Sequence, residues 1–168
     1  FVMKSGCFGL VDRGGGLARA NGPTESARML QRQEVLELDT RGRGFTELTR
    51  ELAAILARSG VRIGLCVVFC PHTSASLLVT ENADPTARAD VLRRLGRIAP
   101  DGDPADEHAD EGPDDSSAHQ KSALTRTSET IPIVDGRLAL GTWQGVFLVE
   151  HRTRPHRRRV VVHVAGTP

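Results

Sequence analysis

The sequence predicts an α+β fold: a compact domain of mainly antiparallel β-sheets, sandwich-like in architecture, with two to three short helices. Strand patterns outnumber helical ones, and hairpin turns such as Asp135-Gly136 dominate the C-terminal half. This distribution favours antiparallel sheets over a doubly wound parallel sheet, in which strands and helices alternate. With 168 residues, 39% of them hydrophobic, the chain has enough apolar material for one core.

The first predicted elements are a strand and a helix. Apolar and polar residues alternate over residues 33–39, which predicts a half-buried strand followed by an Arg-Gly turn. Apolar residues then recur at helical spacing between Leu48 and Leu56. Thr46 is the expected N-cap of this helix, and Gly60 is expected to end it.

The middle of the chain predicts two strands and a second helix. Residues 61–69 are nearly all apolar, as expected for a central strand that is covered on both faces. Residues 76–80 form the next strand pattern. Asp84 and Pro85 predict the N-cap and the first residue of a helix that ends before Pro100.

The segment between Pro100 and Pro113 is acidic and broken by proline and glycine, which predicts a surface loop. A short helix is expected from Asp114 and Asp115 to Leu124, because acidic residues stabilise the positive end of a helix dipole. The remaining strands are expected at residues 130–134, 137–140, 146–150 and 160–164.

The chain is predicted to contain one domain with an N-terminal extension. Residues 1–28 are rich in glycine and small polar residues and show no sustained hydrophobic period, which predicts an irregular extension before a domain at residues 29–168. No apolar stretch approaches the roughly 20 residues that span a bilayer. The three cysteines form no paired framework, so we expect a protein of the reducing cytoplasm.

The charge distribution argues against nucleic-acid and membrane partners. Lys plus Arg (22) nearly balance Asp plus Glu (21), so no global field attracts either. The basic run at residues 151–159 invites a nucleic-acid interpretation. Because aromatic residues make up only 4% of the chain and no stacking platform accompanies the arginines, we interpret the run as protection of a sheet edge.

Histidines and carboxylates are the most reactive residues of the sequence. His72 follows the apolar strand and could face a cleft, although a turn capped by neighbouring hydroxyl groups is the commoner explanation. In the predicted helix, Asp115 and His119 share a face, so the carboxylate could orient the ring toward a metal or substrate. An ordinary helix-stabilising pair is an alternative of equal weight. The separation of His108 from His119 does not match a zinc finger.

Several other residues leave two interpretations open. Lys121, Arg137 and Arg152 could hold phosphate oxygens or could be solvated surface charges. Trp143 could stack on a heterocycle or belong to the core. The sequence contains no GxSxG elbow, P-loop or paired CxxC motif, so the corresponding reaction classes lose their usual support.

Five ordered blocks carry a family resemblance: FCPHTSASL at residues 69–77, ENADP at 81–85, EGPDD at 111–115, AHQK at 118–121 and GRLALGTWQG at 136–145. Together they resemble the YjbQ family, also called UPF0047. The resemblance implies a compact α+β domain that assembles as a homotrimer. It also implies secondary thiamine-phosphate synthase activity, in which hydroxymethylpyrimidine diphosphate loses pyrophosphate while the nitrogen of thiazole phosphate attacks its exocyclic carbon.

The resemblance also implies a site. His72, His108 and His119 match the family's histidine positions and are expected to converge on a divalent metal, zinc in the first place, or directly on a phosphate group. Magnesium could accompany the diphosphate substrate. The catalytic set would comprise these three histidines with Asp115 and Glu111, and the contacts to bound cofactor or phosphate would be Lys121, Asn82 and Ser74.

Three functions follow from this reading. The first is a transferase that makes thiamine phosphate at a three-histidine site. The second is a metal-dependent hydrolase of a phosphorylated small molecule, because three neutral ligands leave a position for an activated water. The third is a non-catalytic trimeric protein that binds a metal or an anion, in which metal removal would lower thermal stability without affecting any turnover.

Overall fold

The computed structural model of the chain describes residues 28–108 and 110–168. In this part of the chain it contains eight strands and three helices. In chain order they are β1 (Leu30–Asp39), β2 (Gly44–Glu47), α1 (Thr49–Ser59), β3 (Ile63–Phe69), β4 (Ala75–Glu81), α2 (Pro85–Ile98), α3 (Asp115–Leu124), β5 (Ser128–Val134), β6 (Arg137–Leu138), β7 (Gln144–Glu150) and β8 (Arg157–Thr167).

The strands form two antiparallel sheets. The larger sheet has five strands in the order β1-β8-β3-β5-β6, and the smaller has three in the order β2-β7-β4. Every pair of neighbouring strands within the two sheets is antiparallel. The predicted α+β fold with mainly antiparallel sheets and short helices is therefore confirmed.

The hydrophobic core is built from both sheets and helix α1. Along β8, buried residues alternate with half-buried ones, because successive side chains of a strand point to opposite faces. Helix α1 turns its apolar stripe toward the same core. Core residues of these elements include Val160, Val162 and Val164 of β8, Leu52 and Ile55 of α1, and Leu77, Val146 and Leu148 of the smaller sheet.

Several local predictions are confirmed. Helix α2 begins at Pro85, and the Oδ1 atom of its N-cap Asp84 accepts a hydrogen bond from the backbone N–H of Thr86 at 2.8 Å. In the β5–β6 turn, Asp135 and Gly136 have φ angles of 50° and 74°. These left-handed conformations are those that a two-residue hairpin turn requires. The short helix predicted after the loop is α3.

Two local predictions are wrong. Thr46 does not cap α1 but lies in β2, where pairing with Leu148 of β7 competes with helix formation. Strand β3 is not covered on both faces within this chain. Ile63 and Leu65 are 64% and 48% exposed because they point to the outer face of the five-stranded sheet, whereas Cys66 points into the core.

Three sequence-based expectations concern other properties of the chain. No helix in the described part of the chain is long and apolar enough to cross a membrane. Cys66 and Cys70 are free and buried, and burial raises the pKa of both thiols to about 11, so they are protonated at neutral pH. The extension predicted at residues 1–28 lies almost wholly outside the described residues, and its boundary stays a prediction.

Candidate metal centre

Helix α3 and the loop before it bring three possible metal ligands together. Asp115 begins α3, His119 lies one turn later on the same face, and His108 approaches from the loop. His108 Nε2 lies 2.8 Å from Asp115 Oδ2, and His119 Nε2 lies 3.5 Å from Asp115 Oδ1. Each residue offers one ligand atom, and these three atoms lie within 4.8 Å of one another. We call His108, Asp115 and His119 the metal group.

The Oδ2 atom of Asp115 is the best test of whether the metal group suits a cation. This atom is buried and has no hydrogen-bond partner in the described part of the chain, although His108 Nε2 is near. Burying a carboxylate oxygen without a hydrogen bond is costly, and a cation beside it would reduce that cost. Ligand atoms of a tetrahedral zinc lie roughly 3.4 Å apart. The 3.5 Å between His119 Nε2 and Asp115 Oδ1 is close to this value, whereas the 2.8 Å between His108 Nε2 and Asp115 Oδ2 is a hydrogen-bond distance. By the kind of donor atoms that they offer, the three residues fit such a metal.

The backbone of Thr73 selects the tautomer of His119. The Nδ1 atom of His119 lies 2.9 Å from the carbonyl oxygen of Thr73. Because a carbonyl oxygen can only accept, Nδ1 carries the proton, and in the neutral ring Nε2 keeps its lone pair. Nε2 is the atom on the side of Asp115. Metal-binding histidines commonly donate their other N–H to a carbonyl or carboxylate in this way.

Arg152, in the connection between β7 and β8, holds the carboxylate of Asp115. Its Nη1 donates to Asp115 Oδ1, and its Nη2 donates to the backbone carbonyl of Glu111 at 2.8 Å. The carboxylates of Glu111 and Asp114 each lie 3.4 Å from the guanidinium group. Three carboxylates against one guanidinium leave an excess of two negative charges, which favours a divalent cation.

Asp114 attaches the start of α3 to the β7–β8 connection. Its Oδ2 accepts hydrogen bonds from the backbone N–H of Thr153 at 2.7 Å and from the Thr153 hydroxyl at 2.8 Å. Burial raises the pKa of Asp114, but these hydrogen bonds and the charge of Arg152 outweigh burial and lower the pKa to about 2. Asp114 is therefore ionised at neutral pH.

The third predicted histidine, His72, is not a member of the metal group. Its Nε2 accepts a hydrogen bond from the backbone N–H of Arg159 at 2.9 Å, just beyond the end of the β3–β8 pairing. Burial, and then the positive charge of Arg158, lowers the pKa of His72, so the ring is neutral at pH 7. His72 and His119 nevertheless line the same groove, whose volume is about 350 Å³.

Two of the predicted phosphate or cofactor contacts are occupied by neighbouring side chains. Lys121 is 1% exposed, and its Nζ donates to Asp101 at 2.9 Å and to the Ser117 hydroxyl at 3.1 Å. The hydroxyl of Ser74 accepts a hydrogen bond from Arg158 Nη2 at 3.0 Å. Lys121 and Ser74 thus form hydrogen bonds within the protein interior instead of facing a ligand. Glu111, predicted as a catalytic carboxylate, instead lies beside Arg152.

Asn82, the remaining predicted contact, lies at the opposite end of β4 from Ser74. At about 3.3 Å per residue, the two Cα atoms are roughly 25 Å apart. Asn82 Nδ2 donates to the carbonyl oxygen of Gln144 at 3.3 Å. Nearby Trp143 is 65% exposed, so it does not belong to the core. Within one protomer, this end of the sheet is separate from the histidines.

Sequence reasoning missed two buried residues at the end of β7. Glu150 accepts hydrogen bonds from Arg158 Nη2 at 2.6 Å and from the Thr40 hydroxyl at 3.0 Å. His151 is fully buried, and its Nε2 lies 2.8 Å from the hydroxyl of Ser76. Glu150 and His151 come at the end of the apolar run of β7, and this position could have indicated that they are buried. The basic residues that follow instead made the segment resemble a surface hairpin.

Comparison with known proteins identifies the family. The family model described as UPF0047 protein YjbQ-like matches residues 34–167. The chain is 50% identical over 143 residues to UPF0047 protein sll1880 of Synechocystis sp., covering 85% of this chain and 97% of that protein. The chain belongs to the YjbQ-like UPF0047 family. UPF0047 protein YjbQ of Escherichia coli O157:H7 is 42% identical over 135 residues, covering 80% of this chain and 97% of that protein.

Solved structures share the fold of this YjbQ-like chain. The conserved hypothetical protein TT1486 of Thermus thermophilus superposes with a TM-score of 0.68 at 43% identity, covering 76% of this chain and 97% of that one. The protein SSO2532 of Sulfolobus solfataricus P2 has a TM-score of 0.73 at 22% identity, covering 83% of this chain and 99% of that one. The names of these relatives state no reaction, so the comparisons define the family and the fold alone.

Proposed function

We propose that this YjbQ-like protein is a metal-dependent transferase of the secondary thiamine-phosphate synthase type. It would join hydroxymethylpyrimidine diphosphate to thiazole phosphate with loss of pyrophosphate. The observation that carries this proposal is the metal group of His108, Asp115 and His119, in which a buried carboxylate oxygen beside His108 has no hydrogen-bond partner in the described part of the chain. Such a group can concentrate positive charge where a diphosphate departs.

Each residue of the group has a separate task in the proposed reaction. His108, Asp115 and His119 would hold the metal, and their mixture of nitrogen and oxygen ligands suits zinc. When bound, the metal supplies Lewis-acid stabilisation of the charge on the departing diphosphate. Arg152 orients Asp115, and the carbonyl of Thr73 keeps His119 in its Nδ1–H form. Magnesium would enter with the diphosphate substrate.

The partners of the protein are part of the same proposal. The ligand is a phosphorylated small molecule, and the chain works in the cytoplasm as a homotrimer, as the family resemblance implies. Exposed apolar residues on the outer face of the five-stranded sheet support self-association, among them Ile63, Leu65 and Phe69. The near-balance of charge supports neither a nucleic acid nor a membrane as a partner.

Direct synthesis tests the proposed reaction. The purified protein, supplied with zinc, magnesium and both precursors, should release thiamine phosphate and pyrophosphate in equal amounts. Asp115→Asn should reduce zinc affinity and the synthesis rate by about tenfold or more. The matched variant Asp135→Asn, in the exposed β5–β6 turn, should change neither. Bound zinc without any thiamine phosphate would overturn the assignment.

Hydrolysis of a phosphorylated small molecule is the second candidate. The observation that favours it is that the metal group has three residues, because three protein ligands leave a fourth tetrahedral position for a water molecule. Solvent reaches this side of the group, since the side chain of His108 is 56% accessible. The same assay without thiazole phosphate separates the two reactions. Phosphate release under that condition would support a hydrolase, whereas a zinc-dependent rise in melting temperature without turnover would support a non-catalytic binding protein.

A further inference from the structure

The groove beside the metal group carries a further inference about substrate recognition. We name it the histidine groove, and it is lined by His72, Thr73, His119, Ser122, Ala123 and Thr127. We propose that the histidine groove binds the uncharged heterocyclic ring of a substrate whose diphosphate lies at the metal group. This inference rests on the proposed function. It specifies that the diphosphate and the ring of one substrate bind in two adjoining regions, the metal group and the histidine groove.

The first argument is the position of His119, which belongs to both regions. Its Nε2 faces Asp115 in the metal group, while its ring forms part of the groove wall. A molecule anchored at the metal group can therefore extend along His119 into the groove without leaving the protein surface. The groove volume of about 350 Å³ falls within the range of small-molecule sites, roughly 300 to 1,000 Å³.

The second argument is the absence of charge from the groove wall. The lining residues include no carboxylate, lysine or arginine, and most of the exposed wall is apolar. Because the wall offers a charged group no counter-ion, the groove suits an uncharged ligand. The imidazole rings of His72 and His119 are the aromatic groups of this wall, and aromatic side chains pack favourably against an aromatic ligand.

The third argument is the donor that His72 provides. Its Nε2 already accepts a hydrogen bond from the backbone of Arg159, so in the neutral ring the proton is on Nδ1. Nδ1 has no hydrogen-bond partner in the described part of the chain. The hydroxyl of Ser122 is occupied, since it donates to the carbonyl of Ala75 at 3.1 Å. A ring nitrogen can accept the His72 proton, so this donor suits a nitrogen heterocycle, and the hydroxyls of Thr73 and Thr127 line the same groove.

Filling the groove tests this assignment. Ala123→Phe places a large side chain on the exposed groove side of α3, and Ala89→Phe makes the same change at an exposed position of α2. Three probes are titrated by calorimetry into zinc-loaded protein: pyrophosphate, hydroxymethylpyrimidine, and hydroxymethylpyrimidine diphosphate. The unaltered chain should bind the pyrimidine diphosphate about tenfold or more tighter than pyrophosphate. Ala123→Phe should remove that difference while keeping pyrophosphate affinity within about threefold, and Ala89→Phe should behave like the unaltered chain.

The outcomes separate the groove from the proposed reaction. Equal affinity of the unaltered chain for pyrophosphate and the pyrimidine diphosphate would overturn the groove and leave the proposed reaction standing. Binding of hydroxymethylpyrimidine alone, with a change in the NMR signals of His72 that Ala123→Phe abolishes, would support the groove even without thiamine phosphate synthesis. An equal loss of both ligands in Ala123→Phe would overturn the groove, because that pattern indicates damage to the metal group. Failure of all three probes to bind would overturn both proposals.

Discussion

Asp115 is the residue on which the candidate metal centre depends. It is 1% exposed, it offers a ligand atom, and its other carboxylate oxygen accepts a hydrogen bond from Arg152. A buried carboxylate is stable only when charge and hydrogen bonds compensate its lost hydration. Arg152 binds Oδ1, and Oδ2 lies beside His108 without a hydrogen bond, so the carboxylate combines a fixed orientation with a candidate ligand atom.

Arg152 should therefore control metal affinity without being a ligand. Arg152→Met should weaken zinc binding by about 10- to 100-fold, because the ligand Asp115 loses its orienting partner. Arg152→Lys should recover part of that loss, since it keeps the charge and one donor but not the planar fork. Competition with a chromophoric zinc chelator measures both affinities.

The matched control for Arg152 is Arg158. Arg158 is also buried and paired with a carboxylate, but its partner Glu150 lies outside the metal group. Arg158→Met should lower the melting temperature about as much as Arg152→Met, because each change leaves a buried carboxylate unpaired. It should leave zinc affinity within about threefold of the original value. Similar losses of affinity in both variants would show that Arg152 acts only through general stability.

His151 should make the fold sensitive to mild acid. Burial, and then the charges of Lys121 and Arg43, lowers the pKa of His151 to about 4, against the opposing charge of Glu150. The unfolded chain protonates this histidine near pH 6.5, whereas the folded chain resists protonation down to about pH 4. Its contribution to stability is thus complete above pH 6.5 and declines as the pH falls toward 4. Between pH 7 and pH 5 the expected loss is about 2 kcal/mol.

Urea titrations at several pH values check this contribution. The change His151→Gln should lower stability at pH 7, because the hydrogen bond with Ser76 is altered, and should reduce the pH dependence between pH 7 and pH 5. The slope of stability with pH is the decisive quantity. If the variant keeps the full slope of the unaltered chain, another group is responsible for the acid sensitivity.

At the scale of elements, the loop before α3 is tied to the rest of the fold through Asp101. Its carboxylate accepts hydrogen bonds from Arg43 at 2.9 Å, Lys121 at 2.9 Å and Ser117 at 2.5 Å. Burial raises the pKa of Asp101, but these three donors outweigh burial and lower it. Lys121 therefore anchors the loop that carries His108. This contact explains why Lys121 is buried although α3 also carries the candidate ligands Asp115 and His119.

Helix α2 provides a direct test of a cap that the sequence predicted. The change Asp84→Ala removes the acceptor for the backbone N–H of Thr86 and should lower the melting temperature measurably. Asp90→Ala, in the exposed middle of the same helix, removes only a surface pair with Arg93 and should cost less than about 0.5 kcal/mol. Thermal denaturation of both variants measures the difference, and equal costs would mean that the cap is not a stabilising feature.

At the scale of the whole molecule, the outer face of the five-stranded sheet is unusually apolar for a solvated surface. Ile63, Leu65 and Phe69 of β3 are 64%, 48% and 44% exposed, and Val134 of β5 is 55% exposed. Contiguous apolar surface of this kind marks interaction sites in soluble proteins. In a symmetric homo-oligomer, such a face is covered by other copies of the same chain. The homotrimer proposed above is an arrangement of this kind.

The proposed homotrimer makes Leu65 an assembly residue. Light scattering on the unaltered protein should give about three times the chain mass of 18.1 kDa. Leu65→Lys should shift the protein toward a single chain, because a buried unpaired ammonium group opposes association. Ala89→Lys, on the surface of α2, should leave the mass unchanged. A monomeric unaltered protein at micromolar concentration would contradict the proposal.

The sequence by itself determined the features that depend on a few neighbouring residues. The Asp84-Pro85 start of α2, the Asp135-Gly136 hairpin and the Asp115–His119 spacing follow from local backbone and side-chain chemistry. The ordered blocks of sequence also determined the family, and the strand and hairpin patterns predicted the fold class. Local chemistry was sufficient because a cap, a turn or one helical turn involves only a few neighbouring positions.

Only the tertiary structure decided which distant residues share a site. His72 joins a groove instead of the metal group because its ring bonds the β8 backbone just past the β3–β8 pairing. Arg152 reaches Asp115 because the β7–β8 connection lies against α3, and Asn82 is remote because β4 runs away from the histidines. Strand pairing and loop placement fix these distances. Hydrophobic periodicity identifies the strands, but it does not specify which strands become neighbours or where their ends meet.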